Sequence, residues 1–250
     1  MHITIDGKVV TVHEGMTILE AARSVGIEIP TLCHLGGVEP YAGCRVCMVE
    51  IRRSDWTPDY SKLVTSCNYE VENALIVDTC SQKVLESRRD VLALLLARSP
   101  RATAIQELAA QYGILASPYL EREEGDNCIL CGLCIRVCEA IGASAIGTTG
   151  RGVEKLVEMP YGDPEACIGC MACAETCPTD AIKYELDDNS LTIWGRTFER
   201  THCKVCNAPM LTPEHIAHFA KKSELTEDYF DTCDACRKRQ TAEAFIKVIG

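Results

Sequence analysis

Aromatic residues are scarce. Phe, Trp and Tyr make up 6% of the 250 residues, which excludes a core built mainly on large rings. Long apolar runs are missing too. The longest, "VLALLLA" (Val91–Ala97), is far shorter than the ~20 residues that cross a bilayer. The start "MHITIDGKVV" has neither an apolar signal core nor a cleavage site, so a cytoplasmic location is expected. Positive charge is in deficit. A formal net charge of −11 repels nucleic acid, and no basic stripe with interleaved aromatics offsets it. The short run "CRKRQ" reads as a solvated helix face. No Gly-x-Gly-x-x-Gly follows a strand, and neither a phosphate loop nor a nucleophile–base pair stands out. "GTTGRG" (147–152) reads as a turn. Catalytic residues are therefore not expected on this chain. Pro-rich and Ser-rich linkers are also lacking, which argues for packed modules.

What the chain has is cysteine, 17 of them. At this density a small secreted protein would be a disulfide framework, whereas in a reducing compartment clustered cysteines bind metal. Ligand binding is then also folding free energy, and it replaces part of the missing aromatic core.

The pattern predicts an α+β chain of four modules. Residues 1–80 read as a β-grasp, or ubiquitin-like, half-roll. Apolar and polar residues alternate on both sides of Asp6-Gly7, a hairpin signal. Thr17 and Glu20 then form a capping box, and Gly26 fits the helix stop. "ALIVDT" (74–79) reads as a later strand. Residues 81–116 read as a helical connector. Val84, Leu85, Val91, Leu92, Leu95 and Leu96 share a face, Ser99-Pro100 ends the first helix, and Gly113 stops a second. Arg88 lies inside that apolar stripe, so it either snorkels outward or meets a partner. Residues 117–190 hold an internal repeat, and 191–250 form a tail with two further cysteine pairs.

The repeat carries the strongest motif. Cys128, Cys131, Cys134 and Cys138 follow C-x2-C-x2-C-x3-C; Cys167, Cys170, Cys173 and Cys177 repeat it, with Pro178 after the last. This is the bacterial ferredoxin run, in which the fourth cysteine binds the other cluster. Three thiolates on one tight loop reach three irons of a cubane, and the fourth corner faces away. The expected ligands are Cys128, Cys131, Cys134 and Cys177 for one [4Fe–4S] cluster, and Cys167, Cys170, Cys173 and Cys138 for the other. Small residues at 132, 169 and 172 let loop amides approach the sulfurs. Zinc knots or buried thiols are the competing readings. Glu139 follows the first run where a proline stands in the second.

A second set, Cys33, Cys44, Cys47 and Cys67, has the spacing C-x10-C-x2-C-x19-C. It shares its C-x2-C and two flanking cysteines with plant-type [2Fe–2S] ferredoxins, and structural zinc is the competing reading. His34 reads as a bystander, because a Rieske site needs two histidines. A third set, Cys203, Cys206, Cys233 and Cys236, pairs two C-x2-C knuckles. Paired knuckles suit a tetrahedral zinc ion, with another [4Fe–4S] cluster as the alternative. His215 and His218 lie between the knuckles and are expected to face solvent on a helix begun at Thr212-Pro213. Cys80 is left over and reads as a buried structural thiol.

"EGMTILEAARSVGIEIPTLCHL…GCRVCMVEI", "CILCGLCIRVCEAIGASAIGTTGRG" and "CIGCMACAETCPTDAI" resemble the N-terminal part of the complex I large iron–sulfur subunit. They are equally similar to NAD-linked hydrogenase diaphorase subunits and to the N-terminus of [FeFe]-hydrogenases. The likeness covers roughly residues 1–185. It implies a [2Fe–2S] cluster on Cys33, Cys44, Cys47 and Cys67. The tail is more similar to zinc-ribbon-like extensions of other redox subunits. The family carries a further cluster on one histidine and three cysteines. Ser99 and Thr103 stand where that histidine and first cysteine would be, so this cluster is expected to be absent. The resemblance implies an electron-relay subunit with one [2Fe–2S] and two [4Fe–4S] clusters, to which the knuckle spacing of the tail adds a zinc, or a third [4Fe–4S] cluster as its alternative. It implies a flavoprotein partner oxidising NADH or NADPH and a small thioredoxin-like [2Fe–2S] subunit. Ferredoxin, a hydrogenase or a formate dehydrogenase would lie at the other end, as in electron-bifurcating complexes. A free polyferredoxin carrier and a zinc-only module are the alternatives.

Overall fold

Asp6 and Gly7 both adopt positive φ, 48° and 80°, and so turn β1 (His2–Ile5) into β2 (Lys8–Thr11). The computed structural model describes residues 1–121, 127–159, 164–223 and 225–249. α1 (Ile18–Ser24) starts at the predicted capping box: Thr17 Oγ1 accepts from the Glu20 amide, and Glu20 accepts from the Thr17 amide at 2.8 Å. Gly26, at φ 74°, ends it. β3 (Met48–Arg53), β4 (Lys62–Thr65) and β5 (Leu75–Asp78) complete a five-stranded sheet in the order β2-β1-β5-β3-β4. β1 and β5 run parallel and the other pairs antiparallel. Ile3, Ile5, Val49, Ile51 and Val77 bury one sheet face against Ile18, Leu19 and Ala22 of α1. Each such side chain contributes about 1.5–3 kcal/mol by leaving water.

α2 (Gln82–Arg98) and α3 (Thr103–Gln111) follow, with Ser99 as the C-cap of α2 and Gly113, at φ 78°, after α3. The buried stripe of α2 is Val84, Arg88, Leu92, Ala93, Leu96 and Ala97; Leu85, Val91 and Leu95 are half-buried. α4 (Leu133–Ile141) carries Cys134 and Cys138. Later come β6 (Gly147–Thr149) paired with β7 (Leu156–Glu158), the short α5 (Ala172–Glu175), and the sheet of β8 (Tyr184–Leu186), β9 (Ser190–Ile193) and β10 (Arg196–Glu199). "GTTGRG" is thus a strand followed by a turn rather than a turn throughout. α6 (Pro213–Lys222) begins at the predicted Thr212 cap, and α7 (Asp234–Ile249) ends the described chain. Among the described residues, no helix is long and apolar enough to cross a membrane.

Two structural units divide the chain. One comprises Met1–Val137 with Thr176–Ala181, the other Cys138–Glu175 with Ile182–Gly250. Cys177 therefore falls with Cys128, Cys131 and Cys134, while Cys138 falls with Cys167, Cys170 and Cys173.

Candidate metal centres

The loop between α1 and β3 brings Cys33, Cys44 and Cys47 together, and Cys67 joins them from the end of β4; all four are at most 3% exposed. Left-handed Ala42 (φ 56°) and Arg45 (φ 60°) curl the loop. The Tyr41 ring packs onto Gly43, where a Cβ would lie 2.7 Å from it and push it aside. The sulfurs are paired. Cys33 is drawn down to about 6 by the hydrogen bond from the Cys44 thiol, helped by the Cys44 and Gly43 amides, while Cys44 is pushed up. Cys47 is likewise drawn down to about 6 by the Cys67 thiol, which is itself pushed up. Four buried sulfurs with amides aimed at them fit a thiolate-bound cluster. His34 Nδ1 is buried with no hydrogen-bond partner among the described residues.

The two halves of the repeat share one backbone design. Leu130 and Gly169, at equivalent positions, have φ of 53° and 65°; Gly132 and Met171 have 68° and 60°. Each loop thus bends at the same two left-handed positions and supplies a glycine at one of them. The bends turn amides toward sulfur: Leu130 N donates to Cys128 Sγ at 3.4 Å, and the amides of Leu133, Gly169 and Ala172 serve Cys131, Cys167 and Cys170. Burial is the main reason that Cys131 and Cys173 are pushed up to about 11, and neighbouring thiolates add to it. Cys177 is such a neighbour for Cys131, and Cys138 for Cys167, Cys170 and Cys173. The remaining sulfurs also meet amides: Cys138 accepts from Ala145 N and Cys177 from Ala181 N, both at 3.3 Å.

Arginines fasten these loops by their carbonyls, and of these sequence reading singled out only Arg88, as a residue that snorkels or meets a partner. Arg88 is 3% exposed and does not snorkel outward. It donates to Val46 O (3.1 Å) and Met48 O (2.7 Å), on either side of Cys47, and to the Tyr112 hydroxyl (3.2 Å). Arg98 donates to Cys128 O at 2.8 Å, and Arg196 to Cys167 O at 2.8 Å. Arg136 donates to Cys33 O and Glu39 O, both at 2.6 Å, and faces the Tyr41 ring. In an acidic chain, these guanidiniums place positive charge beside the loops that carry the clustered cysteines. Arg136, on α4, also ties the Cys33–Cys47 loop to the helix that follows the 128–132 loop within one unit, and Gly43 and the Cys131 carbonyl lie side by side there.

In the tail, Cys203 and Cys206 sit on a tight knuckle where Asn207 N donates to Cys203 O and Cys203 N to Ala208 O. Cys233 and Cys236 sit at the start of α7 rather than on a second hairpin. The four sulfurs all lie within 4.8 Å of one another, and among the described residues this is the one group of metal-ligating side chains that closes so far. The Cys233 amide foremost holds Cys203 down to about 6, while hydrogen bonds, first with Cys206, push Cys236 up to about 12. His215 and His218 are not in the set and do not face open solvent. Both are half-buried, because His218 Nε2 meets Ile141 O at 3.0 Å and His215 packs on Phe219. Cys80, expected to be buried, is exposed just beyond β5.

Residues 1–82 match the 2Fe-2S iron-sulfur cluster binding domain family, and residues 127–181 match the 4Fe-4S dicluster domain family. The chain is an iron–sulfur protein of these two domains. Its two-iron domain holds the first cysteine set, and its dicluster domain spans the repeat. Relatives include the NADPH-Fe(3+) oxidoreductase subunit alpha of Geobacter sulfurreducens, 33% identical over 82% of this chain and 26% of that protein. The NADP-reducing hydrogenase subunit HndD of Solidesulfovibrio fructosivorans is 35% identical over 72% of this chain and 35% of its own length. A chain in the crystal structure of an NAD+-reducing [NiFe]-hydrogenase in the H2-reduced state matches with a TM-score of 0.62 and 25% identity. That match covers 72% of this chain and 85% of the other. The chain spans about a quarter to a third of the curated relatives it matches.

Proposed function

We propose that the chain is an electron-relay subunit of an NAD(P)-linked flavoprotein oxidoreductase. One [2Fe–2S] and two [4Fe–4S] clusters, when bound, each take up and release one electron. Cys33, Cys44, Cys47 and Cys67 would hold the first. Cys128, Cys131, Cys134 and Cys177 would hold one cubane, and Cys167, Cys170, Cys173 and Cys138 the other. The observation that carries the reading is the seam made by Arg136, Tyr41 and Gly43, which sets the two-iron loop directly against the Cys131 loop. α2 and α3 remain as scaffold, and Arg98 steadies the Cys128 loop. No further cluster is then needed between those two loops.

The Cys203, Cys206, Cys233 and Cys236 set is assigned to zinc. A tetrahedral ion with Zn–S bonds of about 2.3 Å puts its sulfurs about 3.8 Å apart. Cys206 and Cys233 stand at 3.6 Å, and the whole set lies within 4.8 Å. A cubane spreads its thiolates over four separate irons and holds them farther apart. The zinc would fix the tail fold around the knuckle and the start of α7.

The relatives' names point to NADPH, NADP or NAD+ as the distant redox partner. The flavoprotein, a small thioredoxin-like subunit, and a hydrogenase, formate dehydrogenase or ferredoxin are the proposed neighbours. The test is anaerobic isolation of the tagged chain from its native source. NADH or NADPH should reduce the clusters in the isolated assembly, together with stoichiometric flavin, and should leave the chain purified alone oxidised. A chain isolated without flavoprotein, and reducible only by ferredoxin-type donors, would instead establish a free carrier.

A further inference from the structure

The hairpin β9–β10 turns through two residues, Trp194 and Gly195, with φ of 55° and 75°. Such a turn needs left-handed backbone at both positions and favours Asn-Gly or Asp-Gly. A bulky side chain in that region is an outlier, and such strain persists where the surroundings over-determine it. They do so here. Phe198 of β10 is 1% exposed and lies on Gly169 of the ligand loop. Arg196 donates to Cys167 O at 2.8 Å, stacks on Phe198 and pairs with Glu214. Thr212 Oγ1 donates to Ile168 O at 2.7 Å. Phe198 and Arg196 thereby fasten the hairpin to the loop 167–169, and the α6 cap Thr212 holds the same loop from the other element. At its tip, the half-buried Trp194 indole donates Nε1–H to Cys173 Sγ at 3.5 Å. An asparagine would suit the turn better and would not place an indole against this sulfur.

We propose that Trp194 tunes the reduction potential of the cluster bound by the Cys167–Cys173 loop. An N–H bond to a ligand sulfur is strengthened when an added electron makes that sulfur more negative, so it stabilises the reduced state and raises the potential. The inference rests on the assignment of Cys173 as a cluster ligand.

Trp194→Phe keeps a ring at the turn and removes the donor. EPR-monitored redox titration of the whole chain should show one cubane shifted to more negative potential, with the other cubane and the iron content unchanged. In protein labelled with ¹⁵N-indole tryptophan, pulsed EPR of that reduced cubane should show a ¹⁵N coupling that is absent in Trp194→Phe. An unshifted potential or a missing coupling overturns the proposal. If Trp194→Phe fails to assemble, the coupling in labelled wild-type protein alone decides. Cys173→Ser separates the two layers of the argument. Damage to one cubane upholds the ligand assignment, whatever Trp194→Phe does; two intact cubanes remove the assignment and the tuning role with it.

Discussion

Cys138→Ser is expected to damage the cluster of the distant Cys167 loop and to spare its sequence neighbours. Cys138 lies four residues after Cys134 on α4, yet it is an electrostatic neighbour of Cys167, Cys170 and Cys173. It also groups with their structural unit. Losing one of four thiolates should convert or empty that cubane, at a cost of up to about four irons per chain. Iron analysis and EPR on the anaerobically purified variant provide the check. Damage confined to the cubane on Cys128, Cys131 and Cys134 would contradict the crossed assignment.

Arg88→Met should be the most disruptive change away from the cysteines. The guanidinium satisfies two carbonyls that flank Cys47, and it is buried in the α2 stripe. Charge-assisted hydrogen bonds of this kind contribute about 1.5–3 kcal/mol each, and removing them leaves buried acceptors unpaired. A stability loss of about 3 kcal/mol or more is expected, together with loss of the [2Fe–2S] signal before the cubane signals. Arg88→Lys should rescue little, because one ammonium on a flexible stem does not reproduce the planar fork. Thermal denaturation and EPR test this. A variant with wild-type stability and an intact two-iron signal would show that Val46 and Met48 are held in place by other means.

Much of this architecture was legible in the sequence because its signals are local. Asp6-Gly7, the Thr17–Glu20 box and the Ser99-Pro100 stop are decided within a few residues, and cysteine spacing is set by the reach of a loop. β3 was not legible. Val49, Glu50 and Ile51 are all buried, so the strand shows no clean alternation. Its buried carboxylate is tolerated because the Ser61 and Ser81 hydroxyls and Lys83 bring Glu50 down to about 2. The arginine clamps were also hidden. Arg136 reaches a carbonyl 103 residues away and Arg88 one 42 residues away, and no local pattern encodes such pairings. Arg88 did leave a trace as a charge within an apolar stripe. Trp194 left one too: "SLTIWGRTFE" alternates on both sides of a Trp-Gly pair, the mark of a two-residue hairpin with an unsuited first residue. Cys80 and His218 were misjudged because the fate of a lone side chain depends on what packs over it. Solvent lies over Cys80, and the end of α4 lies over His218.

Iron and zinc content of one anaerobically purified sample tests the account most directly. Three ferredoxin-type clusters and one tetrahedral site predict about ten irons and about one zinc per chain. About fourteen irons without zinc would turn the tail site into a third cubane and contradict its assignment. Iron near zero with several zincs would contradict the electron relay itself.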